Sequence, residues 1–322
     1  VTDEVSGHML GIRADITPQV ARIDAHRLRS DGVSRLCYCG SVLHTRPVNM
    51  LASRNPMQLG AELFGHEGVD SDAEVISLMV ETLVASGVQG SINLDLGHVG
   101  VFTELVQASG LSSQQTETYI DILQRKALPE LAPFVASLNL SSTQAEQLNA
   151  LARLNGGHEV LERALELFSE STAIVSAIRH LQQLAELVGA RYPEIGFYFD
   201  LGELRGYNYH TGVVFAAYSP RFGQALAKGG RYDQIGADFG RARAATGFST
   251  DLKTLVMLAL DTQPAVRAAI LAPAGTEAAL LETIRQLRVH GERVVIQLAG
   301  AQTPEHCDRQ LVKNGTEWVL EA

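Results

Sequence analysis

The sequence predicts an α+β protein with a long all-helical stretch inside it and a small α/β unit at its end. Three observations carry this expectation. Strand-like segments and helices are mixed over residues 1–103, and strands return from 193 to 262. Between 104 and 188 strand signals nearly vanish, and Leu, Ala, Glu and Gln dominate at helical spacing. After Asp261 the pattern becomes strand, helix, strand. The expected division is therefore 1–103, 104–188, 189–262 and 263–322.

The elements follow in order. HMLGIRADIT, residues 8–17, reads as a strand with Leu10, Ile12, Ala14 and Ile16 on one face. Arg13, Asp15 and Thr17 share the other, beside Gly11. A helix then begins, with Thr17 as its cap, Pro18 at its first position and Gly32 at its end. MQLGAELFG, residues 57–65, reads as a second strand, with Leu59, Ala61 and Leu63 opposite Gln58, Gly60 and Glu62. A helix through DAEVISLMVETLVASG closes at Gly87. TYIDILQRKAL, HEVLERALELF and TAIVSAIRHLQQLAELV supply the helical stretch.

IGFYFDLG and YHTGVVFAAY read as strands, Gly229 and Gly230 as a turn, and TDLKTLVMLAL as a closing helix. TQPA reads as a linker. The last unit runs AAILAPAG, a helix ALLETIRQLRVHG, ERVVIQLAG, another helix, and EWVLEA, with parallel pairing expected. There is no solenoid repeat and no low-complexity tract.

Composition narrows the function classes. The 322 residues are 46% hydrophobic and 19% charged, as in a soluble globular protein. No apolar run approaches the roughly 20 residues that span a bilayer. A net charge of −10 and a pI of 5.5 argue against nucleic acid as the main partner, though not against a local basic patch. The chain begins at Val1 without a Met, and an N-terminal segment is expected to be missing from it, so the lack of a targeting signal carries little weight. Three cysteines, Cys37, Cys39 and Cys307, fit a reducing cytoplasm. Cys37 and Cys39 share one strand face and are expected to be small buried hydrophobes. The ten histidines form no HExxH or CxxC…H arrangement, so no metal is expected. No P-loop or dinucleotide fingerprint is present, and no cofactor is expected.

Two segments suggest a ligand floor. Asp15 and Glu62 could hold cationic or N–H groups, and Arg205 in LRGYNYHTGVVF could grip a carboxylate through two parallel hydrogen bonds. That combination suits an amino acid. The same alternation also describes strands with one face in solvent. GGRYD, residues 229–233, reads as a tight turn with Arg231 and Asp233 paired.

IRADITPQVAR, MQLGAELFG, LRGYNYHTGVVF and GGRYDQI…TGFSTDLKTL occur in the order and spacing of histidine–tRNA ligase, which the whole chain resembles. The resemblance implies a class II aminoacyl-tRNA synthetase-like antiparallel sheet flanked by helices, with a helical insertion and a small C-terminal α/β domain. The family's first motif, which builds much of the dimer interface, would precede Val1. By position, Asp15 and Thr17 match the acid and threonine that meet the substrate amino group. Gln58 and Glu62 match the next pocket strand, and Arg205 matches the RG arginine. Tyr209 matches the first of two family tyrosines, and His210 stands where the second would be.

The nucleotide side departs from the ligase. Leu43 stands at the first ATP-binding arginine, Thr45 at the acid after it, and Thr254 at the second arginine. A leucine cannot replace a charge-assisted contact to phosphate, and each loss is worth on the order of 10²–10³ in rate. The wording of IRADITPQVARIDAH and RGYNYHTGVVFAAY looks most like the regulatory subunit of ATP phosphoribosyltransferase. That resemblance implies a non-catalytic, cytoplasmic chain without catalytic residues. It would activate a short-form ATP phosphoribosyltransferase catalytic subunit in a hetero-oligomer, and transmit feedback by L-histidine in the first step of histidine biosynthesis. It would also self-associate as a dimer, away from membranes. The alternatives are a weakly active histidine–tRNA ligase and a free-standing histidine sensor. Residues 263–322 resemble a reduced anticodon-binding domain, a departure from the regulatory family's usual form.

Overall fold

The structure is a computed structural model and describes residues 2–46, 53–88, 90–204, 206–207, 209–259, 268–298 and 306–321. It contains two units, Val1–Leu260 and Asp261–Ala322.

The first unit is built on an eight-stranded sheet in the order β1-β2-β8-β7-β6-β3-β5-β4. Its strands are β1 (Ser34–Ser41), β2 (Met57–Phe64), β3 (Asn93–His98), β4 (Asn155–Gly156), β5 (Gly196–Asp200), β6 (Val213–Ser219), β7 (Phe222–Arg231) and β8 (Ala245–Asp251). Every pairing is antiparallel except β3 with β5. Parallel neighbours need a long crossover, and here the helical stretch supplies it. Between β3 and β5 lie α3 (Val99–Ala108), α4 (Ser113–Gln124), α5 (Leu128–Ala136), α6 (Ser142–Leu151), α7 (Glu159–Leu167) and α8 (Thr172–Arg191).

Local chemistry starts these helices where they start. Ser112 and Gln115 form a reciprocal capping box on α4, Ser141 and Gln144 form another on α6, and Ser171 caps α8. Their apolar faces meet those of α2 (Val69–Ala85) and the sheet in one core, in which Met79, Leu94, Phe102, Tyr119, Phe168, Leu181 and Phe199 are buried. α2 ends as expected, with Gly87 in the left-handed region at φ 79°.

Four expectations are corrected here. Residues 8–16 form no strand beyond an isolated bridge between Thr2 and Met9. Leu10 and Ile12 are exposed, and only Ile16 of the predicted apolar face is buried. The strand beside β2 is β1, so alternation in 8–17 reflected a loop that touches the sheet at one end. Helix α1 (Thr17–Ile23) has Ile16 at its cap position with no side-chain cap. Thr17's hydroxyl is used elsewhere, as described below. The helix widens into a π-turn over Asp24–Leu28 and stops at Arg29, φ 48°, before Gly32. Cys37 and Cys39 lie on one face of β1 as expected, but β1 is an edge strand and both thiols are exposed.

Gly229 and Gly230 form no turn. They lie within β7, paired to both β6 and β8. A side chain at Gly229 would collide with the Gly247 carbonyl and the Phe215 ring, so glycine permits close packing there rather than a bend. β8 leads into α9 (Leu252–Ala259).

The second unit has a four-stranded sheet, β10-β9-β11-β12, formed by β9 (Ala269–Ala272), β10 (Val294–Ile296), β11 (Cys307–Asn314) and β12 (Glu317–Glu321). Helix α10 (Ala278–Val289) buries Leu280 and Ile284 among Ile270, Ala272, Val294 and Leu311. β9 pairs in parallel with β10 and β11. The helix expected before EWVLEA is replaced over 307–314 by β11, which pairs antiparallel with β12. The Asn314–Gly315 pair at their junction is a strong hairpin signal, with Gly315 at φ 65°. The predicted linker TQPA lies outside the described residues.

Candidate functional site

The site forms on the face of β2 that carries Gln58 and Glu62. The Gln58 amide clamps the incoming segment: its Nε2 donates to Asp15 Oδ1 at 2.7 Å, and its Oε1 accepts from Ile16 N at 2.8 Å. Thr17 N also donates to Asp15 Oδ1, at 3.1 Å. Thr17 Oγ1 donates to Glu62 Oε1 at 2.8 Å, and Tyr38 OH donates to the same oxygen at 3.0 Å. Asp15, Thr17, Gln58 and Glu62 thus meet in one network, as the sequence suggested. The meeting uses a loop and a helix start rather than two neighbouring strands.

Glu62 is 2% exposed, yet its second oxygen, Oε2, has no hydrogen-bond partner among the described residues. The buried Tyr232 hydroxyl is in the same condition. Both point at the backbone of Gly247, where a side chain would collide with each of them. An unpaired buried carboxylate oxygen costs free energy unless a ligand supplies the donor.

Burial is the main force on Glu62 ionisation. It raises the carboxyl from 4.5 to about 8, opposed by the Thr17 and Tyr38 hydrogen bonds and assisted by the charge of Asp15. Burial also raises Tyr38, with the Glu62 charge adding to it. Because the folded value lies above the unfolded one, the stability this group contributes is complete below pH 4.5. It is lost as pH rises through about 8. The ligand-free protein is therefore expected to lose melting temperature across that window. Glu62→Gln should flatten this part of the profile, and an unchanged profile would show that Glu62 does not titrate there.

Tyr209 and His210 form a second group. Their rings lie 4.3 Å apart between centroids, and His210 lies 6.3 Å from Tyr232. Tyr209 is more than half exposed, and the partial burial of its ring raises the phenol, with the Asp15 charge adding to the rise. Arg205 lies outside the described residues.

Tyr38 and Tyr232 were missed by sequence reasoning. The alternation of CYC sets Tyr38 on the face opposite the two cysteines, but with the cysteines expected to be buried it turned Tyr38 toward solvent, and only their exposure in the structure reverses this. The β1–β2 register then sets Tyr38 opposite Gly60, two positions along from Leu36 opposite Glu62 and on the same face. Tyr232 lay in GGRYD, where the tight-turn reading gave its ring no role.

At the nucleotide-side positions, Leu43 is 39% exposed and Thr254 Oγ1 donates to Asp251 Oδ2 at 3.0 Å. Arg231 and Asp233 pair at 3.3 Å as expected, but Arg231 is buried and bound chiefly by Asp72, with Nη2–Oδ1 at 2.9 Å. Among the described residues there is no cluster of three or more His, Cys, Asp or Glu that could hold a metal. No described helix is long and apolar enough to cross a membrane.

Comparison with known proteins agrees with this architecture. The histidyl-tRNA synthetase family profile matches residues 1–255. The profile of the ATP phosphoribosyltransferase subunit HisZ C-terminal domain matches residues 267–321. A crystal structure from Bacillus halodurans, described as an ATP phosphoribosyltransferase regulatory subunit/histidyl-tRNA synthetase, is similar with a TM-score of 0.81 at 30% identity, over 94% of this chain and 78% of that one. The fold is thus that of a class II, histidyl-tRNA synthetase-like protein. The ATP phosphoribosyltransferase regulatory subunit of Azotobacter vinelandii is 52% identical over 99% of this chain and 82% of its own length. The chain belongs to the ATP phosphoribosyltransferase regulatory subunit family, and the unit after Asp261, expected as a departure from that family's usual form, matches the family's own C-terminal domain profile. The ATP phosphoribosyl transferase (HisG:HisZ) complex from Thermotoga maritima shares the fold, at 19% identity and a TM-score of 0.60 over 78% of this chain and 84% of that one.

Proposed function

We propose that this chain activates a short-form ATP phosphoribosyltransferase catalytic subunit, and that histidine bound at the site described above transmits inhibition to it. The observation that carries the site is the buried, unpartnered Oε2 of Glu62 facing the unpartnered Tyr232 hydroxyl beside Gly247. A small ligand bearing an N–H donor satisfies Glu62. Asp15, held by Gln58 and the Thr17 amide, supplies charge for an ammonium group. In this reading Asp15, Thr17, Gln58, Glu62, Arg205, Tyr209 and His210 form the histidine-binding set, and Tyr232 joins them.

The chain performs no reaction of its own in this reading. Leu43 and Thr254 offer no cation to a nucleotide phosphate, and histidine-dependent pyrophosphate exchange is expected to be absent. Residues 104–188 serve as an insertion in the synthetase-like core, and 263–322 as a reduced counterpart of an anticodon-binding domain. The protein works in the cytoplasm, as a dimer within the hetero-oligomer.

The test is phosphoribosyl-ATP formation by the cognate catalytic subunit, with and without this chain, across a histidine titration. Activation that histidine then suppresses is the expected result. An unchanged rate in the presence of the chain would overturn the regulatory reading.

A further inference from the structure

We propose that Asp233 is a positioning residue for the segment Tyr209–Gly212, clasping Thr211 so that Tyr209 and His210 stay at the pocket, and that this clasp sets sensitivity to histidine. The inference rests on the reading that the pocket takes histidine.

The clasp has three bonds. Thr211 Oγ1 donates to Asp233 Oδ2 at 3.0 Å and accepts from Asp233 N at 3.0 Å. Thr211 N donates to the Arg231 carbonyl at 2.8 Å. On its other side the segment is held through Gly206, whose carbonyl accepts from Tyr209 N and His210 N, each at 3.0 Å. Gly212 O accepts from Val99 N at 3.0 Å and joins the segment to the start of α3.

Asp233 is itself fixed by the interior. Its Oδ1 accepts from Ala245 N at 3.0 Å and from Arg231 Nη1 at 3.3 Å. Arg231 is 6% exposed and donates to Asp72, to Ser71 Oγ at 2.8 Å and to the His66 carbonyl at 3.1 Å. The anchor is therefore built into the core, while the part it holds is exposed: Tyr209 is 58% exposed, and Thr211 lies at the surface. An exposed segment keeps one geometry only where its ends are fixed. Fixing it in advance removes an ordering cost from ligand binding.

Because Thr211 is exposed, loss of its hydroxyl should cost little global stability. It removes a hydrogen bond to a charged group, so binding at the pocket should weaken by about tenfold or more. The experiment uses the full chain with its catalytic subunit, and compares Thr211→Val, Thr211→Ser and Asp233→Asn. The half-inhibitory histidine concentration, activation without histidine, and melting temperature are read in parallel.

Thr211→Val is expected to raise the half-inhibitory concentration about tenfold, with activation and melting close to wild type. Thr211→Ser, which keeps the hydroxyl, should restore sensitivity, and Asp233→Asn should fall between them. Wild-type sensitivity in Thr211→Val would overturn the proposal. So would equal losses in the valine and serine variants, or a loss that tracks melting temperature and activation together. Failure of the functional reading is separable, because calorimetry on the wild-type chain would then detect no histidine binding at all.

Discussion

Replacing Glu62 by alanine is expected to abolish inhibition by histidine while leaving activation of the catalytic subunit largely intact. Glu62 Oε1 already accepts from Thr17 and Tyr38, so the oxygen left needing a partner is the buried Oε2. A hydrogen bond to a charged group is worth about 1.5–3 kcal/mol, roughly a 10- to 150-fold weakening when it is lost. The half-inhibitory histidine concentration should rise by at least that range. Glu62→Gln keeps the shape and removes the charge, and should lie between alanine and wild type.

Stability should move the other way. The ligand-free protein holds a carboxyl whose burial raises it to about 8, and neutral replacements relieve that cost at neutral pH. Glu62→Gln, which keeps an acceptor for Thr17 and Tyr38, should gain stability, whereas Glu62→Ala also strands those two donors and leaves a cavity. If Glu62→Ala still responds at wild-type histidine concentrations, Glu62 does not contact the ligand.

The largest expected effect on stability lies at Asp72. Its side chain is fully buried and accepts from Arg231 Nη2 at 2.9 Å and Nε at 3.3 Å, while His180 Nε2 lies 2.9 Å away. The pair joins the first turn of α2 to the end of β7, with α8 reaching in through His180. Arg231→Met leaves this carboxylate without its cation, and such a loss costs about 3–5 kcal/mol. Removing both charges should cost much less than the sum of the single changes, because the penalty comes from the stranded partner. Urea unfolding of Arg231→Met, Asp72→Asn and the double variant closes the cycle. Additive losses would show that the two side chains act independently.

Much of the fold was legible because its signals are local. Helical spacing of Leu, Ala, Glu and Gln placed the helical stretch from the chain alone, and Ser112, Ser141 and Ser171 cap three of its helices with their own side chains. Gly87 ends α2 for an equally local reason. The alternation of Gln58 and Glu62 against Leu59 and Leu63 is a property of one strand, and β2 is that strand.

What failed depends on neighbours. Alternation over residues 8–17 looked like a strand, but a strand exists only where another strand accepts its hydrogen bonds, and β1 and β8 already flank β2. Gly229 and Gly230 looked like a turn because glycine permits turns. Only the approach of Gly247 and Phe215 shows that β7 needs them for space. The helix expected before EWVLEA gave way to β11, which β9 and β12 pair on both edges.

The site divides in the same way. Asp15, Thr17, Gln58 and Glu62 could be named in advance, since each lies in a short segment of recognisable chemistry. That Glu62 is buried with one free oxygen, that Tyr38 shares its other oxygen, and that Tyr232 faces the same space could not. These facts arise where β1, β2 and β8 lie side by side with Thr17 above them. The sequence by itself determined which chemical groups are present and which segments are helical. The tertiary structure alone decided which groups lose their water and which are left needing a partner, because desolvation is set by everything packed around a group rather than by its neighbours in the chain.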